Sequence, residues 1–156
     1  MKDKSTATTE TPATAINPAG CNCLALRQAA RYVTQIYDQF LAPSGLRTTQ
    51  YSILARLQRK GPLTINALAG ELVMDRTTLG RNILPLQRDG LIDVVPGQSD
   101  RRSKELRLTP AGAARFRAAR ESWQAAQAQF ESAFGARRAA ALRTLLQQVV
   151  ASESQA

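Results

Sequence analysis

Three short runs of residues carry most of the chemistry open to this chain. Asp75-Arg76-Thr77-Thr78 leads, after two residues, into Arg81-Asn82. Asp100-Arg101-Arg102 is followed closely by Lys104. Cys21 and Cys23 stand one residue apart. An arginine can donate two hydrogen bonds to guanine, and an asparagine can pair bidentately with adenine. Threonine offers a hydroxyl to phosphate and a methyl to thymine. Cysteine can be oxidised, can ligate a metal, or can serve as a small hydrophobe. Histidine is absent from all 156 residues. That excludes Ser-His-Asp and Cys-His hydrolysis and His-ligated zinc. No phosphate-binding glycine loop and no clustered acid pair is visible. The chain does not read as an enzyme, and no cofactor or metal is assigned to it.

Helices are what these residues need to hold them in place. The composition is 44% hydrophobic, with only eight aromatic residues and much alanine, which suits closely packed helices. Apolar residues at Leu26, Ala29, Ala30, Val33, Ile36, Tyr37, Phe40 and Leu41 predict an amphipathic helix over 24–41. Asn22 is its expected N-cap, and Pro43-Ser44-Gly45 ends it. A second helix is expected over 48–60, with Gly61-Pro62 as its stop. A short third helix, 65–72, has Thr64 as N-cap. Val73-Met74 then turns, and Asp75 caps a fourth helix from Arg76 to Arg88. Pro85 is expected to kink or shorten that helix. Gly90 is a natural left-handed terminator. Leu91–Val95 and Lys104–Leu108 read as two strands of a hairpin with a long basic tip. Thr109-Pro110 opens a long helix, Gly135 breaks it, and a last helix covers 137–150. The steps Phe116, Ala119, Trp123, Ala126, Phe130 and Phe134 form a seam suited to another helix, including one from a second subunit.

Two helices meeting at a tight turn before a hairpin place the first two runs together. The second helix of such a pair presents its N-terminal residues to base edges in the major groove. Thr64, Arg76, Thr77, Thr78, Arg81 and Asn82 are therefore DNA-binding candidates. Arg101, Arg102 and Lys104 join them from the hairpin tip, where arginines suit the electronegative minor groove. Asp100 would repel phosphate, so its expected task is to hold a neighbouring arginine. The opposing reading of the fourth helix is a charged face that only meets solvent. Net charge is +9, which points toward nucleic acid or another anionic surface. Residues 61–108 hold seven Lys+Arg and six Asp+Glu, so placement of the cations matters here more than their number.

The segment Asp100-Arg101-Arg102, followed by Leu106, Leu108, Thr109 and Gly112, resembles the wing signature of MarR-type regulators. Leu86 to Ile92, with Gly90-Leu91-Ile92, resembles the end of their recognition helix. The layout is similar over roughly residues 21–150. This resemblance implies a mainly α fold with a small β-hairpin wing, a winged helix-turn-helix. It implies a homodimer formed through N- and C-terminal helices, and binding to a pseudo-palindromic double-stranded DNA operator. The corresponding division is a flexible tail at 1–20, a dimerisation helix at 21–47, a winged helix-turn-helix at 48–108 and C-terminal dimerisation helices at 109–152.

Cys21 and Cys23 begin the first helix, and Cys23-Leu24-Ala25-Leu26 resembles the run around a reactive cysteine in the family's organic-peroxide-sensing branch. Tyr37 matches a tyrosine that contacts that thiolate there, while Arg27 and Thr48 stand where two other tyrosines would. A helix N-terminus and the Arg27 cation both favour a reactive thiol. On a helix, side chains two residues apart diverge by about 200°. A disulfide between subunits is then easier to form than one within the pair. Two passive hydrophobes, or a metal shared by two chains, are the alternatives. If the cysteines are passive, a small aromatic ligand is the expected signal. The resemblance places its pocket between the first two helices and the long helix. Tyr37, Phe40 and Tyr51 would line it, and Arg27 or Arg31 would meet a carboxylate. The same aromatics also fit an ordinary core.

The reading is a sequence-specific transcriptional repressor released by an aromatic ligand or by cysteine oxidation. A non-specific architectural DNA binder is the alternative, and a protein-binding role for the long-helix seam is a third. No apolar run approaches the roughly 20 residues of a membrane helix. The first 20 residues lack the apolar core of a signal peptide. The expected setting is the cytoplasm, with no membrane partner.

Overall fold

The computed structural model describes residues 20–152. The chain divides between Tyr32 and Val33 into two units. The expected tail at 1–20 lies outside the described residues, apart from Gly20. In the first unit, helix α1 (Asn22–Leu41) begins, two residues earlier than its apolar stripe. Cys21, not Asn22, holds the capping position. The Cys21 carbonyl accepts from Ala25 N–H at 3.1 Å, and its sulfur accepts from Leu24 N–H at 3.4 Å.

The second unit holds the rest of α1, then α2 (Thr48–Lys60), β1 (Leu63–Thr64), α3 (Ile65–Leu72), α4 (Arg76–Arg88), β2 (Ile92–Pro96), β3 (Lys104–Leu108), α5 (Pro110–Phe134) and α6 (Ala136–Ala151). A single turn of 3-10 helix, Ala42–Ser44, leads out of α1. Asp38 pins the start of α2, its Oδ1 accepting from Thr48 N–H and Thr48 Oγ1, each at 2.7 Å. The core gathers Leu41, Ile53, Leu54, Leu57, Leu68, Leu79, Leu86 and Ile92, all buried. Phe116 and Trp123 of α5 pack on it from one side.

The sheet has three strands in the order β1-β3-β2. The hairpin pairs Ile92 with Leu108 and Pro96 with Lys104. β1 pairs Leu63 with Leu106 on the other edge of β3. Sequence reasoning misses this strand, because two residues show no alternation. The second strand starts at Ile92, not Leu91. Leu91 N–H instead closes α4 by donating to Leu86 O at 2.8 Å, while Gly90 N–H donates to Gln87 O at 2.9 Å. That is a Schellman ending with Gly90 at φ +69°. α4 runs through Pro85 to Arg88 without stopping. Pro85 removes only its own donor, so the Arg81 carbonyl loses its usual helical partner.

α3 ends in the same motif, but with Val73 in the left-handed position, at φ 51° and ψ 48°. Its N–H reaches Gly70 O at 3.2 Å, and Met74 N–H reaches Ala69 O at 2.9 Å. A β-branched residue is strained there, and the Val73 side chain is 68% exposed, so it buries little in return. Val73→Gly is expected to stabilise the fold by about 1 kcal/mol. A higher urea midpoint at unchanged slope is the anticipated result; an unchanged midpoint would show that Val73 is not strained.

Candidate nucleic-acid interface

Each element of the interface starts from a cap that the sequence supplies. Thr64 Oγ1 accepts from Ala67 N–H at 3.1 Å and so opens α3. Its hydroxyl proton remains to be donated. Asp75 Oδ1 accepts from Thr78 N–H at 2.8 Å, and Oδ2 accepts from Thr78 Oγ1 at 2.6 Å. These bonds, the hydroxyl's first, hold the Asp75 carboxyl below its ordinary pKa, so it is anionic at neutral pH. Thr78 therefore has both donors engaged and offers outside only lone pairs and a methyl. Asn82 Nδ2 donates one hydrogen to the Thr78 carbonyl at 2.8 Å, which leaves Oδ1 and the second Nδ2 hydrogen free. Asn82 thus keeps one donor and one acceptor, the pair that bidentate contact with adenine uses.

The six candidates on and before α4 do not all share one side. Leu79, Ile83 and Leu86 face the core. At about 100° per residue, Thr77 and Arg81 lie opposite them, both exposed. Arg76 lies on the flank toward the hairpin, and Thr78 and Asn82 lie on the other flank. Arg76 lines a groove of about 640 Å³ together with Thr64, Gly80, Leu84, Val94, Arg102 and Lys104. Four sequence-named candidates thus border one groove, and no Asp or Glu is among its lining residues. Arg101 is exposed at the tip and lies outside that lining.

The tip is a built turn. Gly97 N–H donates to Ser103 O at 2.9 Å, and Ser103 N–H donates to Asp100 O at 3.0 Å. Ser103 Oγ donates to the same Asp100 carbonyl at 2.7 Å. Asp100 Oδ1 accepts from the backbone N–H of Arg102 at 2.9 Å. Asp100 does fix an arginine, but through its main chain, leaving the guanidinium outward. Below the tip, Arg107 donates to Asp93 across the hairpin at 3.2 Å, as their register requires.

The effector candidates are dispersed. Cys21, Cys23 and Arg27 are exposed in the first unit. In the second unit, Tyr37 is buried and donates from its hydroxyl to Gln127 Oε1. Gln127 Nε2 donates to Glu131 at 2.9 Å, and Arg143 donates to the same Glu131 oxygen at 3.0 Å. Burial first, and then the Glu131 charge, push the Tyr37 pKa up. Tyr51 instead packs against Phe116, tilted by 35° with centroids 4.9 Å apart, and stacks with Trp123 at 6.0 Å. It lines a cleft of about 450 Å³ with Ser52, Arg56, Arg59 and Leu72. Tyr37 does not line this cleft. The arginines that do are Arg56 and Arg59, which no motif in the sequence singles out. Among the described residues no three His, Cys, Asp or Glu side chains cluster as a metal site, and no helix is long and apolar enough to cross a membrane.

Two helices at a tight turn, a three-stranded sheet and a basic hairpin tip define a winged helix-turn-helix protein. The chain belongs to the MarR family, whose model matches residues 46–104. It is 36% identical to the transcriptional regulator MosR of M. tuberculosis, with a TM-score of 0.72 over 85% of this chain and 97% of that one. The same regulator in complex with DNA is matched at 37% identity and a TM-score of 0.71, over 85% and 98% of the two chains. The transcriptional activatory protein BadR of Rhodopseudomonas palustris is 31% identical over 90 residues, 56% of this chain and 51% of BadR. The chain thus spans about half the length of that curated relative.

Proposed function

We propose that this chain is a homodimeric transcription regulator that binds a pseudo-palindromic DNA operator and acts as a repressor by occluding it. The groove that unites Thr64, Arg76, Arg102 and Lys104 without an acidic residue carries this reading. Arg76, Thr77, Thr78, Arg81 and Asn82 contact or flank the major groove, and Arg101, Arg102 and Lys104 serve the wing. The crystallised DNA complex of MosR supports the same use of this fold. Residues 48–108 form the DNA-binding region, and 21–47 with 109–152 form the dimerisation region. Leu145, Leu146, Val149 and Val150 on α6 are exposed apolar side chains of the kind a second subunit covers.

The release signal is a small aromatic anion in the Tyr51 cleft, where Phe116 and Trp123 supply the apolar walls and Arg56 and Arg59 the charge. Oxidation of Cys21 and Cys23 is the second reading, favoured by the exposure of both thiols. Because Cys21 precedes α1, the divergence expected of two helical side chains does not constrain this pair.

The test is a titration of reduced protein at physiological salt against the DNA upstream of its own gene and a scrambled duplex. A preference of about a hundredfold, roughly 2.7 kcal/mol, is expected for the specific duplex. Equal affinity for both would instead identify an architectural DNA binder. Loss of the complex on adding an aromatic acid, or on adding peroxide, then identifies the signal.

A further inference from the structure

Gly80 stands in the middle of α4, where glycine is among the least favourable residues for a helix. Among the described residues nothing accounts for it. A Cβ added at Gly80 would meet nothing within 4 Å. No left-handed backbone is needed there either, since the positive-φ glycines are Gly45, Gly61, Gly90 and Gly135. The reason is then sought outside the chain. Arg76, Gly80 and Leu84 follow at steps of four along one stripe of α4, and all three line the groove facing the wing. Gly80 is a notch in that stripe, with Arg76, Arg102 and Lys104 around it. We infer that Gly80 admits one sugar–phosphate strand of the DNA between α4 and the wing, making it a contact position through its missing side chain.

The occupant follows from charge and shape. Three cations and no acid border the groove, which selects a polyanion. With α4 in the major groove and the wing at the adjacent minor groove, as the proposed function has them, the element between them is the strand that separates those grooves. The Thr64 hydroxyl, whose oxygen caps α3, keeps its proton for a phosphate oxygen. Gly70 has the same open space in the last turn of α3 but is outside the groove lining, so it is the internal control.

This inference rests on the DNA-binding reading, and the experiment separates the two. Thermal midpoints, operator affinity and salt dependence would be measured for the full chain and for Gly70→Ala, Gly80→Ala and Gly80→Leu. Both alanine variants should melt about 2–4 °C higher, as relief of a helical glycine predicts. Gly70→Ala should bind as the parent does. Gly80→Ala should bind about tenfold more weakly, and Gly80→Leu at least about a hundredfold more weakly on operator and random DNA alike. The slope of log K against log salt should fall by about one for each phosphate no longer neutralised. A parent that binds no DNA overturns both readings. A parent that binds while both Gly80 variants match it overturns the notch alone. So does an equal loss in Gly70→Ala. Should Gly80→Leu fail to fold, the alanine pair decides the matter by itself.

Discussion

Gly112→Ala is expected to destabilise the protein by roughly 3 kcal/mol, because the new methyl has no room. Its Cβ would overlap the Leu91 carbonyl oxygen, and would lie 2.7 Å from Leu108 Cδ1 and 3.0 Å from Leu91 C. Two of those three are backbone atoms, which cannot swing aside as a side-chain tip could. The site is also a junction. Thr109 N–H donates to the Leu91 carbonyl at 3.1 Å, and Thr109 Oγ1 donates to Gly90 O at 2.7 Å. The same hydroxyl oxygen caps α5 by accepting from Gly112 N–H at 2.9 Å. The methyl would therefore push the start of α5 away from the end of α4 and disturb all three bonds. A drop of about 6–12 °C in melting temperature is the expected reading for a chain of this size. The contrast with Gly80→Ala is one of sign, since one glycine is crowded and the other open. A Gly112→Ala protein that melts with the parent would mean that α5 does not approach Leu91 this closely.

The elements are largely legible in the sequence because their ends are marked by side chains that cap. Thr64, Asp75 and Thr109 each precede a helix, and each accepts from the backbone N–H three residues on. Where no such marker exists, the sequence misleads. Asn22 looks like a cap by residue type, yet Cys21 holds that position. Leu91 looks like strand because it is apolar, but its N–H is spent on closing α4. β1 is too short to show a pattern, and it exists because β3 offers it a free edge. The site is legible by residue type and less so by arrangement. Asp100 reads as a partner for an arginine, but the bond is to a main-chain N–H, which residue type cannot reveal. The family resemblance groups Tyr37 and Tyr51 in one pocket, whereas one is tied to Gln127 and the other lines a cleft with Phe116 and Trp123. Glycines are the least legible, since a missing side chain has meaning only through its neighbours. Gly112 stands out through resemblance alone, and Gly80 does not stand out at all.

Arg81 and Arg102 should separate reading from holding. Arg81 sits opposite the buried face of α4, where it meets base edges if the helix enters the major groove. Arg81→Ala is then expected to cost about 1–3 kcal/mol on the operator, a loss of roughly 5- to 150-fold. Binding to a random duplex should fall much less, because no matched guanine is lost there. Arg102 is anchored differently. Its main chain is fixed by Asp100 Oδ1, while its exposed side chain lines the groove beside Lys104. Arg102→Ala should therefore leave the melting temperature unchanged, since exposed substitutions of this kind seldom exceed about 0.5 kcal/mol. Affinity should nevertheless fall on every duplex, and the salt slope should lessen by about one, as removal of a phosphate-neutralising cation requires. The two variants make opposite patterns on the same pair of DNAs. Arg81→Ala losing equally on operator and random DNA would reassign it to the backbone. Arg102→Ala binding both at parental strength would remove the wing from the interface and leave α4 to carry recognition alone.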